Sequence, residues 1–329
     1  MGNRYLRRLA TLFFSLFVIS LLSFALIEFS PGGAMARYVE NPNISQADRT
    51  RMAERFGLDR PAPLRYFIWL RNTVQGDLGT SFMTGRPVLT EILERLPATL
   101  KLMTFSFFVS IIVAIPIGIY SATHRHSLFD HLAATGSFLG LSLPSFWFGL
   151  LMIYIFAIWL NWLPSGGMIT PWFDPSAYPL LIRPFVIFWE HTRYLLMPAI
   201  VLSLSNIGSW SRYMRSSMLD VISQNYIRTA RANGVPERKV VYKHALRNAL
   251  TPLVTLMGLD LPGFFAGAVV TEQIFAWPGM GRLFISAAGN RDYQVLMGII
   301  MITAVLVLLG NLLADLMYRF LDPRVNYEG

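Results

Sequence analysis

Of the 329 residues, 54% are hydrophobic and only 14% charged, where soluble globular domains carry roughly 25% charged residues, so a bilayer is the expected solvent. The net charge of +9 comes without basic residues gathered around aromatic stacking platforms on a soluble surface, which argues against a nucleic-acid partner. Zero cysteines exclude disulfides, thiolate metal sites and cysteine nucleophiles.

A helix needs about 20 predominantly apolar residues to cross about 30 Å of hydrocarbon, and six runs approach that length: 9–29, 98–120, 132–160, 194–210, 250–275 and 295–320. They predict an all-α polytopic membrane protein with six transmembrane helices. Arg4, Arg7 and Arg8 before the first run, with Ala34-Met35-Ala36 after it, also fit a cleaved signal peptide. The run exceeds the roughly 7–15 residues of such a peptide's apolar region, so a retained first span is expected. Ser203, Ser205, Asn206 and Ser209 dilute the fourth run and leave its ends the least defined.

Basic residues near span ends tend to stay cytoplasmic. The amino-terminal tail has three Arg, and the loop 211–249 has eight basic residues against Asp220 and Glu237. Both belong inside by this rule, as does the last tail with Arg319 and Arg324, which places both termini in the cytoplasm. An even number of spans agrees with that placement of the last tail. Segment 30–97 is basic too, but it is long enough for the rule to lose force, and it is expected outside. The expected organisation is therefore a tail and first helix in 1–29 and an extracytoplasmic subdomain in 30–97. A five-helix core with a cytosolic element at 220–249 follows in 98–320, then a cytoplasmic tail in 321–329.

Within the outer segment, Ser45 and Asp48 predict a capped helix through Phe56 ended by Gly57, and Pro61 and Pro63 precede a second helix over 64–74. The stretch 161–193 is rich in Pro, Gly and aromatic residues, which suits an interfacial or re-entrant connection. The connection 276–294 begins Trp277-Pro278-Gly279-Met280-Gly281-Arg282, where Pro and two Gly force a turn that could fold back into the mouth of a pathway.

Chemistry-bearing motifs are sparse. No Gly-x-x-x-x-Gly-Lys-[Ser/Thr] occurs, so an ATP-driven process would need another subunit to bind the nucleotide. His124, His126 and His131 cluster after the second run, but with Asp130 as their acidic neighbour and no second ligand cluster they read as solvated loop histidines rather than a metal site. No Gly-x-Ser-x-Gly elbow supports hydrolysis. Asp260 falls near the middle of the fifth run, where a lone carboxylate costs about 2.5–3.5 kcal/mol. It is either a cavity-lining group that meets a cationic part of a substrate or a hydrogen-bonded packing residue. Glu28 and Glu272 fall near outer span ends, where access to water is expected. Asp315 and Arg319, spaced i, i+4, fit a helix-surface ion pair. Gly136-x-x-x-Gly140 and Gly263-x-x-x-Gly267 predict close approach between helices.

The stretch 225–250 is polar, basic and broken by Gly234-Val235-Pro236. Residues 224–233 predict about two and a half helical turns, with Tyr226, Ile227 and Ala230 on one side and Arg228 and Arg231 beside them. Gly234 suits a helix end through positive φ, and Pro236 suits the first position of the next helix. The expected shape is a rigid elbow, suited either to a membrane surface or to insertion into a cleft on a partner.

Tyr226-Ile227-Arg228-Thr229-Ala230-Arg231-Ala232-Asn233-Gly234, followed by His244-Ala245-Leu246-Arg247-Asn248-Ala249-Leu250 and Pro252, resembles the cytosolic coupling motif of permease subunits in ABC importers of the dipeptide/oligopeptide/nickel class. The resemblance extends to Gly57-Leu58-Asp59-Arg60-Pro61, Gln75-Gly76-Asp77-Leu78-Gly79, Gly85-Arg86-Pro87-Val88, Arg95-Leu96-Pro97-Ala98-Thr99, Glu272-Gln273-Ile274-Phe275-Ala276-Trp277-Pro278-Gly279 and Asp322-Pro323-Arg324. The sequence departs from the wider pattern in three places. Arg228-Thr229-Ala230 replaces a Glu-Ala-Ala form, Gly33-Ala34 follows Pro31-Gly32 where relatives often have Asp-Pro, and Asn225 stands where an acidic residue is common.

The resemblance implies a type I ABC importer permease fold. It assigns ATPase coupling to Tyr226, Arg228, Thr229, Ala230, Arg231 and Gly234, with His244 from the second half of the motif beside them. Candidate translocation-pathway residues, read from their positions in and after the fifth run, are Asp260, Glu272, Trp277, Pro278 and Gly279. The resemblance further implies a second homologous permease subunit, two ATP-binding subunits holding ATP and Mg, and an extracytoplasmic substrate-binding protein, with no cofactor and no catalytic residue in this chain itself. Peptides are the expected substrates, with nickel chelates, glutathione or sugars as alternatives. An ion-coupled secondary transporter or channel is the alternative mechanism.

Overall fold

The computed structural model describes the backbone of residues 2–29 and 60–321, and side chains over 10–26, 28–29, 60–260 and 268–312. The expected helix of 45–56 lies outside these residues, as do the side chains of Gly263-x-x-x-Gly267 and of Asp315 and Arg319. The helices, in chain order, are α1 (Gly2–Glu28), α2 (Ala62–Val74), α3 (Val88–Thr123), α4 (Leu128–Ser142), α5 (Ser145–Met152), α6 (Arg183–Ile222), α7 (Asn225–Ala232), α8 (Leu246–Ile274), α9 (Met280–Gly289) and α10 (Tyr293–Leu321). Among the described residues, three helices are long and apolar enough to cross a bilayer, or four if a bent pair forms one crossing.

That bent pair corrects the third apolar run. The sequence predicts one uninterrupted span over 132–160, whereas α4 and α5 meet at 107°. The proline explains the break: Pro144 crowds the backbone of its predecessor and disfavours helix there, and Leu143 accordingly takes φ −75°, ψ 126°. Beyond α5 the chain widens into a π-helical stretch, Ile153–Trp159. The fourth run is corrected in the other direction. Its serines do not shorten the helix, and α6 runs for 40 residues, about 60 Å at 1.5 Å per residue, twice what the hydrocarbon needs. The connection 161–193 is correspondingly shorter, since Arg183 already lies in α6.

The chain divides into two compact units. One comprises Met1–Ala98 and Gly279–Leu308. In it, Ser20 on α1 shares a 2.8 Å hydrogen bond with the Tyr66 hydroxyl, Phe24 packs edge-on to the Tyr66 ring at 5.4 Å, and Arg65 pairs with Glu28. Glu28 is therefore partnered rather than simply reaching for water. A separate apolar cluster joins Leu78, Val88 and Ile92 to Met280, Ala287, Val295 and Ile299. Gly298 belongs to it, because a Cβ there would lie 2.6 Å from Val88 Cγ1. Buried Asp292 accepts hydrogen bonds from Ser81 Oγ at 2.6 Å and Met83 N at 3.2 Å, which ties α10 to the turn after α2. The stretch 276–294 contains a ten-residue helix, α9, where the sequence predicts a turn.

The other unit comprises Thr99–Pro278 and Leu309–Gly329. Its helices meet through small residues. A Cβ on Gly118 would lie 2.5 Å from Met214 Cβ, and one on Gly208 2.7 Å from the Ser137 carbonyl oxygen. Of the predicted Gly136/Gly140 pair, Gly140 lies against Leu204, while a Cβ at Gly136 would meet open space. Met152, Met197, Val201 and Phe275 form an apolar core. The connection before α6 is fastened to that core: Gly167 N donates to the Phe275 carbonyl at 2.8 Å, and a Cβ on Gly166 would lie 2.5 Å from the same oxygen.

Candidate functional site

The long helix α6 delivers the chain to the elbow. Ser223 closes α6, Gln224 turns to extended backbone at φ −70°, ψ 149°, and α7 begins at Asn225. One face of α7 is anchored by Ile227, whose side chain is fully buried, and the neighbouring π-helical stretch Val240–Ala245 buries Val240 and Val241. Burying such side chains is worth roughly 1.5–3 kcal/mol each, enough to hold an eight-residue helix that would not persist alone in water. Tyr226, Arg228, Thr229 and Arg231 occupy the exposed part of the helix, and Ala230 is half-buried.

The turn after α7 is made by backbone geometry. Gly234 takes φ +76°, the left-handed region that glycine enters without penalty. Gly234 N donates to the Arg231 carbonyl at 2.9 Å and Val235 N to the Ala230 carbonyl at 3.2 Å, the paired closure of a Schellman motif. Pro236 stands one place earlier than expected: it caps the short helical turn Glu237–Lys239 rather than occupying its first position. From Glu237 the chain stays helical through Val240–Ala245 into α8.

Two side-chain contacts stiffen the angle. Arg231 donates to Glu237 through Nε at 3.0 Å and Nη2 at 2.7 Å across the turn. These hydrogen bonds, with Coulomb attraction added, hold the Glu237 carboxyl below its usual value despite the opposing effect of burial. Asn248 Nδ2 donates to the Tyr226 hydroxyl at 2.8 Å, linking α7 to α8. His244 sits half-buried on the π-helical stretch. Tyr226, Tyr242, Arg228, Lys239, Lys243 and Arg247 are left exposed as an aromatic and basic surface. Glu237, Asn248 and Tyr242 were not foreseen as site residues, because their contributions depend on the fold of the elbow.

The other sequence-selected residues lie elsewhere. Asp260 on α8 is half-buried and accepts a 2.7 Å hydrogen bond from the indole Nε1 of buried Trp210. Glu272 is fully buried, contrary to the expected access to water, and accepts from Thr99 Oγ1 at 2.6 Å. Trp277 is fully buried as well, and its backbone N–H donates to the Glu272 carbonyl at 2.9 Å. With Ala276 at φ +47°, α8 thus ends in the same kind of turn as α7, here without glycine. Pro278 is half-buried and Gly279 caps α9, so the forced turn is a helix-to-helix junction.

A further ionic contact was invisible to sequence reading. Arg215 donates to buried Asp130 through Nε at 2.6 Å and Nη2 at 2.8 Å, joining α6 to the start of α4 outside the apolar runs 132–160 and 194–210. The Arg215 hydrogen bonds bring the Asp130 carboxyl down to about 2, against the upward push of burial, with help from the His126 backbone N–H. No group of three His, Cys, Asp or Glu that could hold a metal exists among the described residues.

Residues 114–327 match the family of binding-protein-dependent transport system inner membrane components, and residues 1–103 match the N-terminal part described for the same kind of component. The chain belongs to this family. Among similar permease components, the oligopeptide transport system permease protein AppB of Bacillus subtilis is 45% identical over 310 residues, 94% of each chain. The di/tripeptide permease protein DppB of Pseudomonas aeruginosa is 37% identical and the dipeptide permease protein DppB of Escherichia coli 36%, each over 98% of both chains. The inward-facing MetNI methionine ABC transporter has a chain that superimposes with a TM-score of 0.55 at 18% identity, covering 70% of this permease component and 96% of that chain. The fold is thus the all-α, type I ABC importer permease fold, in a multi-pass component of the inner membrane.

Proposed function

We propose that this permease forms, with a second homologous permease subunit, a pathway for peptides handed over by an extracytoplasmic binding protein, and that two ATP-binding subunits drive it through the elbow. Relatives named for oligopeptide, dipeptide and di/tripeptide transport support peptides as the cargo. ATP and Mg belong to the partner subunits, since the chain has no phosphate-cradling Gly-Lys loop. Six spans with both termini and residues 220–249 in the cytoplasm, and 30–97 outside, remain the topology we favour, from the distribution of Lys and Arg.

The observation that carries the coupling role is the construction of the elbow. Its inner face is seated by Ile227, Val240 and Val241, its angle is set by Gly234 and bridged by Arg231–Glu237, and from Glu237 it stays helical into α8. A displacement of α7 by a partner therefore passes to α8, which carries Asp260. We assign contact with the ATP-binding subunit to Tyr226, Arg228, Thr229 and Arg231. Ala230, Gly234 and His244 hold the shape behind that contact. Closure of the ATPases around ATP would favour one orientation of the spans and hydrolysis the other, provided each state binds its ligands with different affinity. Asp260 remains the pathway residue of choice, whereas for Glu272, Trp277, Pro278 and Gly279 we propose a scaffolding role at the end of α8.

Co-purification of the tagged chain, with ATPase and transport assays before and after Arg228, Thr229 and Arg231 are replaced by Ala, tests this reading. Recovery of a second permease and two ATP-binding subunits, lost or uncoupled in the variant, is the expected outcome. A chain that purifies alone and transports without ATP would overturn it.

A further inference from the structure

A cavity of about 300 Å³ lies between α3, α4 and α6, lined among others by Ser121, His126, Asp130, His131, Arg212 and Arg215. Its charges do not cancel. Asp130 is taken up by the bidentate contact with Arg215, while no ion pair of Arg212 forms among the described residues. The face of the Arg212 guanidinium is covered by the Phe138 ring, 4.8 Å from its centroid, which occupies its π surface and leaves the in-plane N–H groups as donors. Arg212 Nε is buried without a hydrogen-bond partner.

Ser121 is the second, independent sign. It is 2% exposed, and its Oγ has no partner. Other buried serines on the same helix are satisfied by the carbonyl one turn back: Ser106 bonds Leu102 O at 2.7 Å and Ser110 bonds Ser106 O at 2.8 Å. An unmade hydrogen bond of a buried hydroxyl is costly, so a hydroxyl left open in the same cavity as an uncompensated cation is a built feature rather than a surface accident.

We propose that this cavity is a binding site for a phosphate-bearing anion, with Arg212 as its charge-assisted donor and Ser121 as its second donor. Arginine is suited to phosphate because its planar fork presents parallel N–H groups. The position also fits a membrane source. His126, Asp130 and His131 fall between the apolar runs that end at 120 and start at 132, and Arg212 follows closely on the run that ends at 210. Residues just beyond an apolar run are where a lipid headgroup would be met, and a free phosphate shares that chemistry.

The test uses the assembled transporter in detergent, as wild type and as Arg212→Gln and Ser121→Ala. Native mass spectrometry after delipidation counts retained phospholipid, phosphatidylglycerol is added back, and the thermal stability of stripped samples is titrated with inorganic phosphate. Wild type is expected to retain phosphatidylglycerol and to bind it at least about tenfold more tightly than Arg212→Gln, the loss expected for a charged hydrogen bond, with a smaller loss for Ser121→Ala. A difference between wild type and the variants with inorganic phosphate but not with lipid identifies the ligand as the free anion. Equal lipid retention and equal phosphate response in all three proteins would overturn the proposal. Should Arg212→Gln fail to assemble, Ser121→Ala decides alone, and unchanged binding of both probes in that variant would have the same consequence.

Discussion

Replacing Gly234 by valine isolates the backbone of the elbow from its packing. Gly234 lies at φ +76°, and a Cβ built there meets no heavy atom within 4 Å, so the added side chain displaces nothing. What remains is the left-handed backbone, which costs an L-residue roughly 1–2 kcal/mol and a β-branched one more. That strain opposes the two hydrogen bonds closing the turn, Gly234 N to Arg231 O and Val235 N to Ala230 O. A shift of about 1–2 kcal/mol changes the ratio of closed to open turn by a factor of about 5–30. The core beneath, with Ile227, Val240 and Val241 buried, does not depend on it. Gly234→Val is therefore expected to insert and assemble but to lose coupling. In proteoliposomes holding the complete transporter and its binding protein, substrate transported per ATP hydrolysed is expected to fall about tenfold, in line with the estimated strain. Gly234→Ala falls less. Gly234→Asn, which tolerates the left-handed region, falls least although its side chain is larger than alanine's. Wild-type coupling in Gly234→Val, or an Asn variant as impaired as the Val variant, would refute the reasoning.

Asp130→Asn leaves Arg215 without its carboxylate and should cost about 3 kcal/mol, the lower end for breaking a buried pair, because Arg215 is partly exposed. The sign of the pH dependence follows from the Asp130 pKa, lowered from 3.8 to about 2: the pair's contribution is complete above about 3.8 and is lost as pH falls toward 2. Melting curves in detergent from neutral to acid pH should show that loss in wild type and lack it in the variant. Gly166→Ala places a Cβ 2.5 Å from the Phe275 carbonyl oxygen, a backbone atom that cannot rotate away, and a drop of about 1–3 kcal/mol is expected. Gly136→Ala, where a Cβ meets open space within a helix, should not lower the melting temperature and should raise it slightly. Asp260→Asn keeps an oxygen for the Trp210 indole and should preserve assembly while weakening uptake of positively charged substrates selectively; Asp260→Leu removes that acceptor and should also destabilise by about 1–3 kcal/mol. Unchanged uptake of cationic and neutral substrates in Asp260→Asn would remove Asp260 from the pathway.

The elbow was legible in the sequence because its determinants are local. An amphipathic turn anchored by Ile227, a glycine able to take positive φ and a proline two residues later act within a few residues of one another, and α7 begins and ends within one residue of expectation. Long apolar runs were legible for a similar reason: hydrophobicity accumulates along the chain whatever its partners. The break before Pro144 was written there too, but unbroken hydropathy masked a backbone restriction carried by a single residue. Partners could not be read. Arg215 meets Asp130 across 85 positions, Trp210 meets Asp260 across 50 and Thr99 meets Glu272 across 173. Glu272 and Trp277, expected at a watery mouth, are fully buried. Dihedral preferences and hydropathy act over one or two turns, so they determine which segments become helices and where those helices bend. Which charge is neutralised, which hydroxyl is left open in a cavity and which glycine faces a backbone depend on how distant helices pack, and that was decided by the tertiary structure alone.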